Sequence, residues 1–466
     1  MKINDFKYKF REFWNEFKKD KAGIFGLILI VLFLGTMLLE RIVSPYPEAN
    51  TKWRDISYWE NNVKGAKPVW VNLFLKNKLP KTEILGNEEI KKRTRNNVKE
   101  FETNFIYNFK YGAAPSDLIL EFDSIGEIQI IPSIIRPDGQ KVSGTKVTYN
   151  TTSLKKNRIP LKNSLVEGAY EFAAQVDYIN TNSVQKIAID SLGIAFAKSQ
   201  EKIALRPVGE PGEYKIKVKI ISSTPNVKVD NFKLTAVGKV SGLMGTDSFK
   251  RDIFSGLVAG VKWAFIIGFL VALATVAIGV IYGVVSAYFG GVVDNVMSRI
   301  VDFLTNIPFL PVLIVTSAIL KPSIWTFIVL MVALNWISPV RIVRSMALQI
   351  KEETFIEASK ALGASHFRLI FKHMLPIVIP FAFANMALAV PSAILSEAGI
   401  SILGLGDSTI VTWGQMLQDA KSGGALITGM WWWIIPPGIM ISLVGMSFSF
   451  VGFAMDKILN PKLKTR

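Results

Sequence analysis

Residues 22–39 run for 18 positions without a charge. Longer or comparable uncharged stretches follow at 263–293, 303–320, 322–340, 374–396 and 422–455. A bilayer's hydrocarbon core of about 30 Å takes about 20 apolar residues per helix. One crossing in each stretch gives six transmembrane helices: 22–39, then near 263–286, 303–320, 322–340, 375–396 and 432–454. The single Lys321 between the third and fourth makes them a hairpin. The chain reads as a mostly α, polytopic membrane protein.

A cleaved signal peptide would have a shorter apolar region and a small-residue cleavage site, whereas LLERIVSP follows the first run, so an uncleaved span is expected. Residues 1–21 carry seven Lys/Arg against four Asp/Glu, interleaved with Phe6, Tyr8, Phe10, Phe13, Trp14 and Phe17. That pattern predicts an amphipathic helix lying on lipid.

Between the first and second spans lie 34 Lys/Arg and 24 Asp/Glu, so this part is aqueous. We place an insert at 40–243. Within it KKRTRNNVKE (91–100) reads as an exposed loop or helix end. From about 117 to 240, runs such as GEIQIIPSII, KVTY, YEFAAQVDYI, KIAIDSLGIAFA, KIALRPV and EYKIKVKIIS alternate between turn residues. Period-two alternation of this kind predicts a small β-sandwich or barrel.

Lys/Arg in short loops set orientation. There are six in 341–373 and four in the tail 456–466, but only Lys321 and Lys421 in the loops around 321 and 397–431. Six crossings then put both termini and 341–373 in the cytoplasm and the insert outside. WWW (431–433) falls at the outer end of the last span, as in an aromatic belt. Gly256/Gly260 and Gly279/Gly283 allow close helix packing.

The chain has no Cys and two His, so Cys-based or His-rich metal sites are excluded, and no catalytic constellation is present. The net charge of +17 fits lipid headgroups rather than nucleic acid in so apolar a chain. The spans hold almost no ionisable residue, which argues against an ion-coupled carrier or channel. No G-x4-GK[ST] loop occurs, so an ATPase driving transport would be a separate chain.

The 341–373 loop contains EASKALGASHFRLIFKHMLP (357–376). Phe355, Ala358/Ser359 and Leu362 form an apolar face at helical spacing, Gly363 ends or kinks the helix, and Phe367, Ile370, Phe371 and Met374 resume the pattern. Pro376 opens the next span. Such an elbow either docks into a groove of a partner or serves as a surface-lying loop.

This stretch resembles the EAA loop of binding-protein-dependent ABC importer permeases: Glu357, Ala358, Gly363, Leu375 and Pro376 match its spacing, with Ser359 for the third small residue and His373 for the usual Ile. MGTDSFKRDIF (244–254) resembles the GTDxxGRD segment of the C-type permease of dipeptide and oligopeptide importers, through Gly245, Thr246, Asp247, Arg251 and Asp252. Lys250 stands where that family has Gly, which predicts a different local turn. Segments 287–315, 396–406 and 412–417 and the terminal NPKL also match; the resemblance spans 1–45 and 240–466 and leaves the insert unmatched.

The resemblance implies a type I importer permease with a β-rich, sandwich-like extracytoplasmic insert, in an inner or plasma membrane. It implies a heterodimer with a homologous permease, two cytoplasmic ATPases carrying ATP and Mg, and an extracytoplasmic solute-binding protein. Glu357–Gly363 would be the coupling helix, and the outer motif a polar helix start rather than a substrate contact. The chain itself would hold no cofactor or metal. Di- or oligopeptides are the expected cargo, with nickel or oligosaccharides as the alternative. A module built around the insert alone would not need six spans.

Overall fold

The computed structural model describes residues 11–87, 90–95, 98–177, 190–225 and 227–459. Phe6, Tyr8, Phe10 and NPKL lie outside them. Along the chain come α1 (Lys21–Leu38), then β1 (Glu83–Asn87), β2 (Lys91–Arg95), β3 (Val98–Phe109), β4 (Asp117–Ile135), β5 (Lys141–Ser143) and β6 (Val147–Pro160). Helices α2 (Val166–Asp177) and α3 (Ser191–Ala195) precede β7 (Gly212–Ser222) and β8 (Lys228–Val237). Then follow α4 (Ile253–Phe289), α5 (Gly291–Thr305), α6 (Phe309–Ile319), α7 (Ile324–Asn335), α8 (Val340–Lys351) and α9 (Thr354–Ala361). The last are α10 (Leu375–Ile402), α11 (Trp413–Ser422) and α12 (Trp431–Leu459). Two compact units result, one of residues 59–251 and one of 1–58 with 252–466.

In the first unit the pairings β1–β8, β8–β4, β4–β7, β7–β3 and β3–β1 close a circuit, so the sheet is barrel-like rather than two stacked layers. The 19-residue β4 serves four partners, and its register shifts between Glu121/Asp123 and between Ser124/Gly126. Such irregularities bend and twist a strand, as closure requires. On β7, Tyr214, Ile216, Val218 and Ile220 are buried while Lys217 and Lys219 pair across the strand boundary with Glu102 (2.7 Å) and Glu100 (3.1 Å).

Three expectations change here. Strands begin at Glu83, so KKRTR is strand β2 and not a loop; among the described residues it pairs only with β3, and a basic edge strand resists pairing with other chains. YEFAAQVDYI is helix α2 up to Asp177, because Ala169, Phe172 and Ala173 bury one face at helical spacing. In KIAIDSLGIAFA the described part folds as the short helix α3, and KIALRPV forms turns with Lys202 at φ 59°. Arg136 pins this side of the barrel. Its fully buried guanidinium donates to the carbonyls of Ala195 and Ala197 (both 2.7 Å), to Glu210 (2.8 Å) and to Asp138 (3.1 Å), and lies over the Phe172 ring.

Among the described residues of the second unit, four helical stretches are long and apolar enough to cross a membrane: α1, α4, 366–402 and α12. The pairs α5/α6 and α7/α8, bent by 73° and 47°, bring the number to six if each is one span. Helix α4 starts ten residues before the uncharged run, because Asp252 caps it by accepting from the Ser255 N–H at 2.7 Å. The glycine pairs are used within the chain. A Cβ on Gly256 would strike Trp53, one on Gly260 would strike Trp413, and Gly279 and Gly283 lie against the Trp336 and Val340 carbonyls. Trp432 and Trp433 are core residues rather than belt residues, Trp433 seated on Gly423.

Candidate coupling elbow and outer turn

Helix α9 is anchored by Ile356, which is 3% exposed and packs in a cluster with Val284, Tyr288, Ile350, Leu369 and Met374. The rest of the elbow looks outward. Glu357 and Ala358 are exposed, Ser359 is half-buried with its hydroxyl turned back to the Phe355 carbonyl (2.7 Å), and Leu362 and Phe367 are 90% and 71% exposed. Phe367 stacks on Phe371 at 4.4 Å.

The bend has a specific cause. Gly363 adopts φ 81°, its N–H donates to the Lys360 carbonyl (3.0 Å), and the Ala364 N–H donates to the Ser359 carbonyl (3.1 Å). These two bonds are the Schellman pattern that closes a helix on a left-handed residue. Ser365 then caps a new turn, and the ladder widens into a π-helical turn at Leu369–Met374 before Leu375 and Pro376 open α10. Pro376 cannot donate to the carbonyl four residues back, which accounts for the widening just ahead of it.

Charged and polar side chains brace the elbow's neighbours. Asp294 on α5 accepts from Ser286 (2.5 Å) and from Arg344 Nε (2.6 Å) and Nη2 on α8. Lys351 reaches the Ala287 carbonyl, and Tyr288 bonds His366. Sequence reasoning missed Asp294 and Arg344; lying 50 positions apart in regions read as loops, they share no local pattern.

The outer motif forms a closed turn in the 59–251 unit. Asp247 accepts from the Phe249 and Arg251 N–H groups (both 2.8 Å) and from Arg251 Nε (2.5 Å), with both side chains buried. Thr246 donates to the Val63 carbonyl (2.6 Å) and accepts from the Ala66 N–H (2.9 Å), and Gly245 sits at φ 74°. Lys250 has φ 67°, a left-handed geometry that suits glycine better than lysine. In the other unit, Asp252 caps α4, also accepting from the Ser255 hydroxyl at 2.8 Å. Burial pushes the Asp252 carboxyl up, and the Ser255 donors pull it back.

Two more carboxylates escaped the sequence reading. Glu397 is buried near the end of α10 and accepts from Ser401 (2.7 Å) and Thr412 (2.6 Å), while Thr412 caps α11. Asp407 accepts from the Ile324 N–H at the start of α7 (3.0 Å). Among the described residues no cluster of three His, Cys, Asp or Glu is arranged to hold a metal.

Comparison with known proteins agrees with this architecture. The family described as binding-protein-dependent transport system inner membrane component matches residues 255–465, and the N-terminal transmembrane domain of oligopeptide transport permease C matches 9–62. The dipeptide transport system permease protein DppC of Bacillus subtilis is 37% identical over 221 residues, covering 47% of this chain and 68% of the relative. The oligopeptide permease OppC of the same organism is 37% identical over 221 residues, covering 47% and 72%. OppC of Haemophilus influenzae is 32% identical over 219 residues, covering 47% and 70%. The chain belongs to the inner-membrane permease family of binding-protein-dependent ABC importers, as a C-type subunit of the dipeptide and oligopeptide branch.

Proposed function

We propose that this permease carries di- or oligopeptides across an inner membrane, paired with a homologous permease and driven by two cytoplasmic ATPases that bind ATP and Mg. An extracytoplasmic binding protein delivers the cargo. The chain catalyses no covalent step and holds no cofactor. Both termini and the elbow face the cytoplasm, where Lys/Arg concentrate, and the barrel lies outside. Residues 244–455 form the permease core, and 40–243 the insert.

One observation carries the coupling role. The elbow exposes Leu362, Phe367, Phe355 and Phe371 while Ile356, Leu369 and Met374 fix it to the helical core. An exposed apolar knob on a rigid base suits a groove on an ATPase. ATP-driven closure of the ATPases then moves the elbow as a rigid element and, through α4 and α10, opens the path. Glu357, Ala358, Ser359 and Gly363 shape the docking helix, and Leu375 and Pro376 set the angle of the next span. Gly245, Thr246, Asp247 and Arg251 hold the closing turn of the insert, and Asp252 caps α4.

Gly363→Val tests this directly. A β-branched residue at φ 81° costs on the order of 1–2 kcal/mol locally, while open space surrounds its Cβ. The assembled complex should form and hydrolyse ATP but lose peptide uptake. Full uptake with unchanged ATP consumption would reject the coupling role.

A further inference from the structure

A cavity of about 210 Å³ lies between α4, α7, the break before α8, and α10. Its polar lining is Thr275, Asn335, Ser338, Asn385 and Ser392, and it contains no charged and no aromatic side chain. The Thr275 hydroxyl is tied to its own helix through the Val271 carbonyl (2.7 Å). Asn335 and Asn385 each donate one amide proton to the carbonyl four residues back, Met331 (2.9 Å) and Phe381 (3.1 Å). Among the described residues, neither asparagine's amide oxygen accepts a hydrogen bond, and the Ser338 and Ser392 hydroxyls make none. Polar groups on membrane helices are costly unless they meet a partner or a passing solute, so their convergence on one cavity marks a route.

We propose that this cavity holds the backbone of a peptide in transit. The inference rests on the importer reading above and deepens it. A carboxamide carries the same donor and acceptor as a peptide bond, so Asn335 and Asn385 can each pair with a backbone N–H and C=O whatever side chains follow. The absence of charge means that neither acidic nor basic cargo is trapped. The lining also discriminates among cargoes. A transition-metal ion takes imidazole, thiolate or carboxylate ligands, which this cavity lacks. A sugar takes aromatic faces and hydroxyl-matching charged groups, also missing here. The volume is below the roughly 300–1,000 Å³ that encloses a whole drug-sized ligand, so the cavity grips a short part of an extended chain.

The chain has no cysteine, so Ser392→Cys gives this subunit a single thiol. The full complex with its binding protein is reconstituted, and modification of that thiol by a small methanethiosulfonate reagent is timed with and without saturating trialanine during ATP turnover. Protection of about tenfold by the peptide is expected, and no protection by nickel ion or maltotriose. Equal rates with and without trialanine would overturn the proposal. In parallel, Asn385→Leu and Asn335→Leu should each lower uptake of trialanine, trilysine and triglutamate by a common factor of about ten or more, the loss of the asparagine's two hydrogen bonds to the peptide backbone. Asn385→Gln should recover part of it, while peptide affinity of the binding protein stays fixed. A loss confined to one cargo, or no loss, would also overturn the proposal. If the parent complex takes up no peptide but binds it nowhere else in the pathway, the substrate reading falls and this assignment with it. That outcome is distinguished by the parent's failure, since when only the cavity assignment falls the parent and the cavity variants take up peptide alike.

Discussion

Tyr288 Oη lies 2.6 Å from His366 Nδ1, and the two rings meet edge-on with centroids 5.6 Å apart. The bond joins the end of α4 to the first turn after Gly363. It is a direct polar link between α4 and the elbow, alongside the apolar cluster beneath Ile356.

Tyr288→Phe keeps the ring and removes the bond. Changes along a coupling path shift coupling by about 0.5–2 kcal/mol, so uptake per ATP hydrolysed should fall by about twofold to thirtyfold. Complex recovery should stay near that of the parent. An unchanged transport-to-hydrolysis ratio would make this bond a local brace without a part in coupling.

Lys250 offers a stabilising change. A non-glycine residue in the left-handed region costs about 1–2 kcal/mol, part of which Gly gives back in unfolded-chain entropy. The Lys250 amine also donates to the Glu60 carbonyl at 3.1 Å, on the exposed side of the turn. Lys250→Gly should therefore stabilise the 59–251 unit by about 0.5 kcal/mol, seen as a higher thermal midpoint, whereas Lys250→Val should lower it. A drop with Gly would mean that the Glu60 contact outweighs the backbone strain.

The buried Asp247–Arg251 pair points the other way. Removing one partner of such a pair leaves an uncompensated charge and costs about 3–5 kcal/mol. Arg251→Ala should reduce the recovered complex more than it alters cargo preference. Replacing both residues, Asp247→Asn with Arg251→Met, should cost less than the sum of the single changes. A shift in cargo preference at normal recovery would instead place Arg251 in the transport path.

Where sequence and structure diverge, the reasons are physical. Uncharged length measures how much of a helix lipid can cover, and it says nothing about where the backbone ladder starts. Lys262 ended the uncharged run, yet α4 passes through it to the Asp252 cap. Glu397 lay one residue beyond a predicted span because its compensation comes from Ser401 and Thr412, hydroxyls that sequence position alone does not pair with it. The elbow was legible because Gly363 and Pro376 act locally, at fixed spacing. The insert was legible as a β-sandwich or a barrel, and the choice between them depends on β1 pairing with both β8 and β3. YEFAAQVDYI deceived because its apolar residues satisfy both periods, and only burial of Ala169, Phe172 and Ala173 against the barrel core selects the helix.

The barrel supplies the last prediction. Its core is contiguous within residues 59–251, from Phe105 and Tyr107 on β3 through Leu118 and Ile130 on β4 to Ile216 and Leu234 on β7 and β8. A unit with its own core folds alone, so the isolated segment should give a β-rich circular dichroism spectrum and a cooperative thermal transition. Arg136 sets the test of that cooperativity. Its guanidinium satisfies two carbonyls and two carboxylates at once, so Arg136→Ala strands all four and should destabilise the segment by about 3 kcal/mol or more. Arg136→Lys should recover little, since an ammonium cannot span four acceptors in one plane. A helical or featureless spectrum would reject independent folding, and an unchanged transition in Arg136→Ala would show that α2 and α3 are held by apolar packing alone.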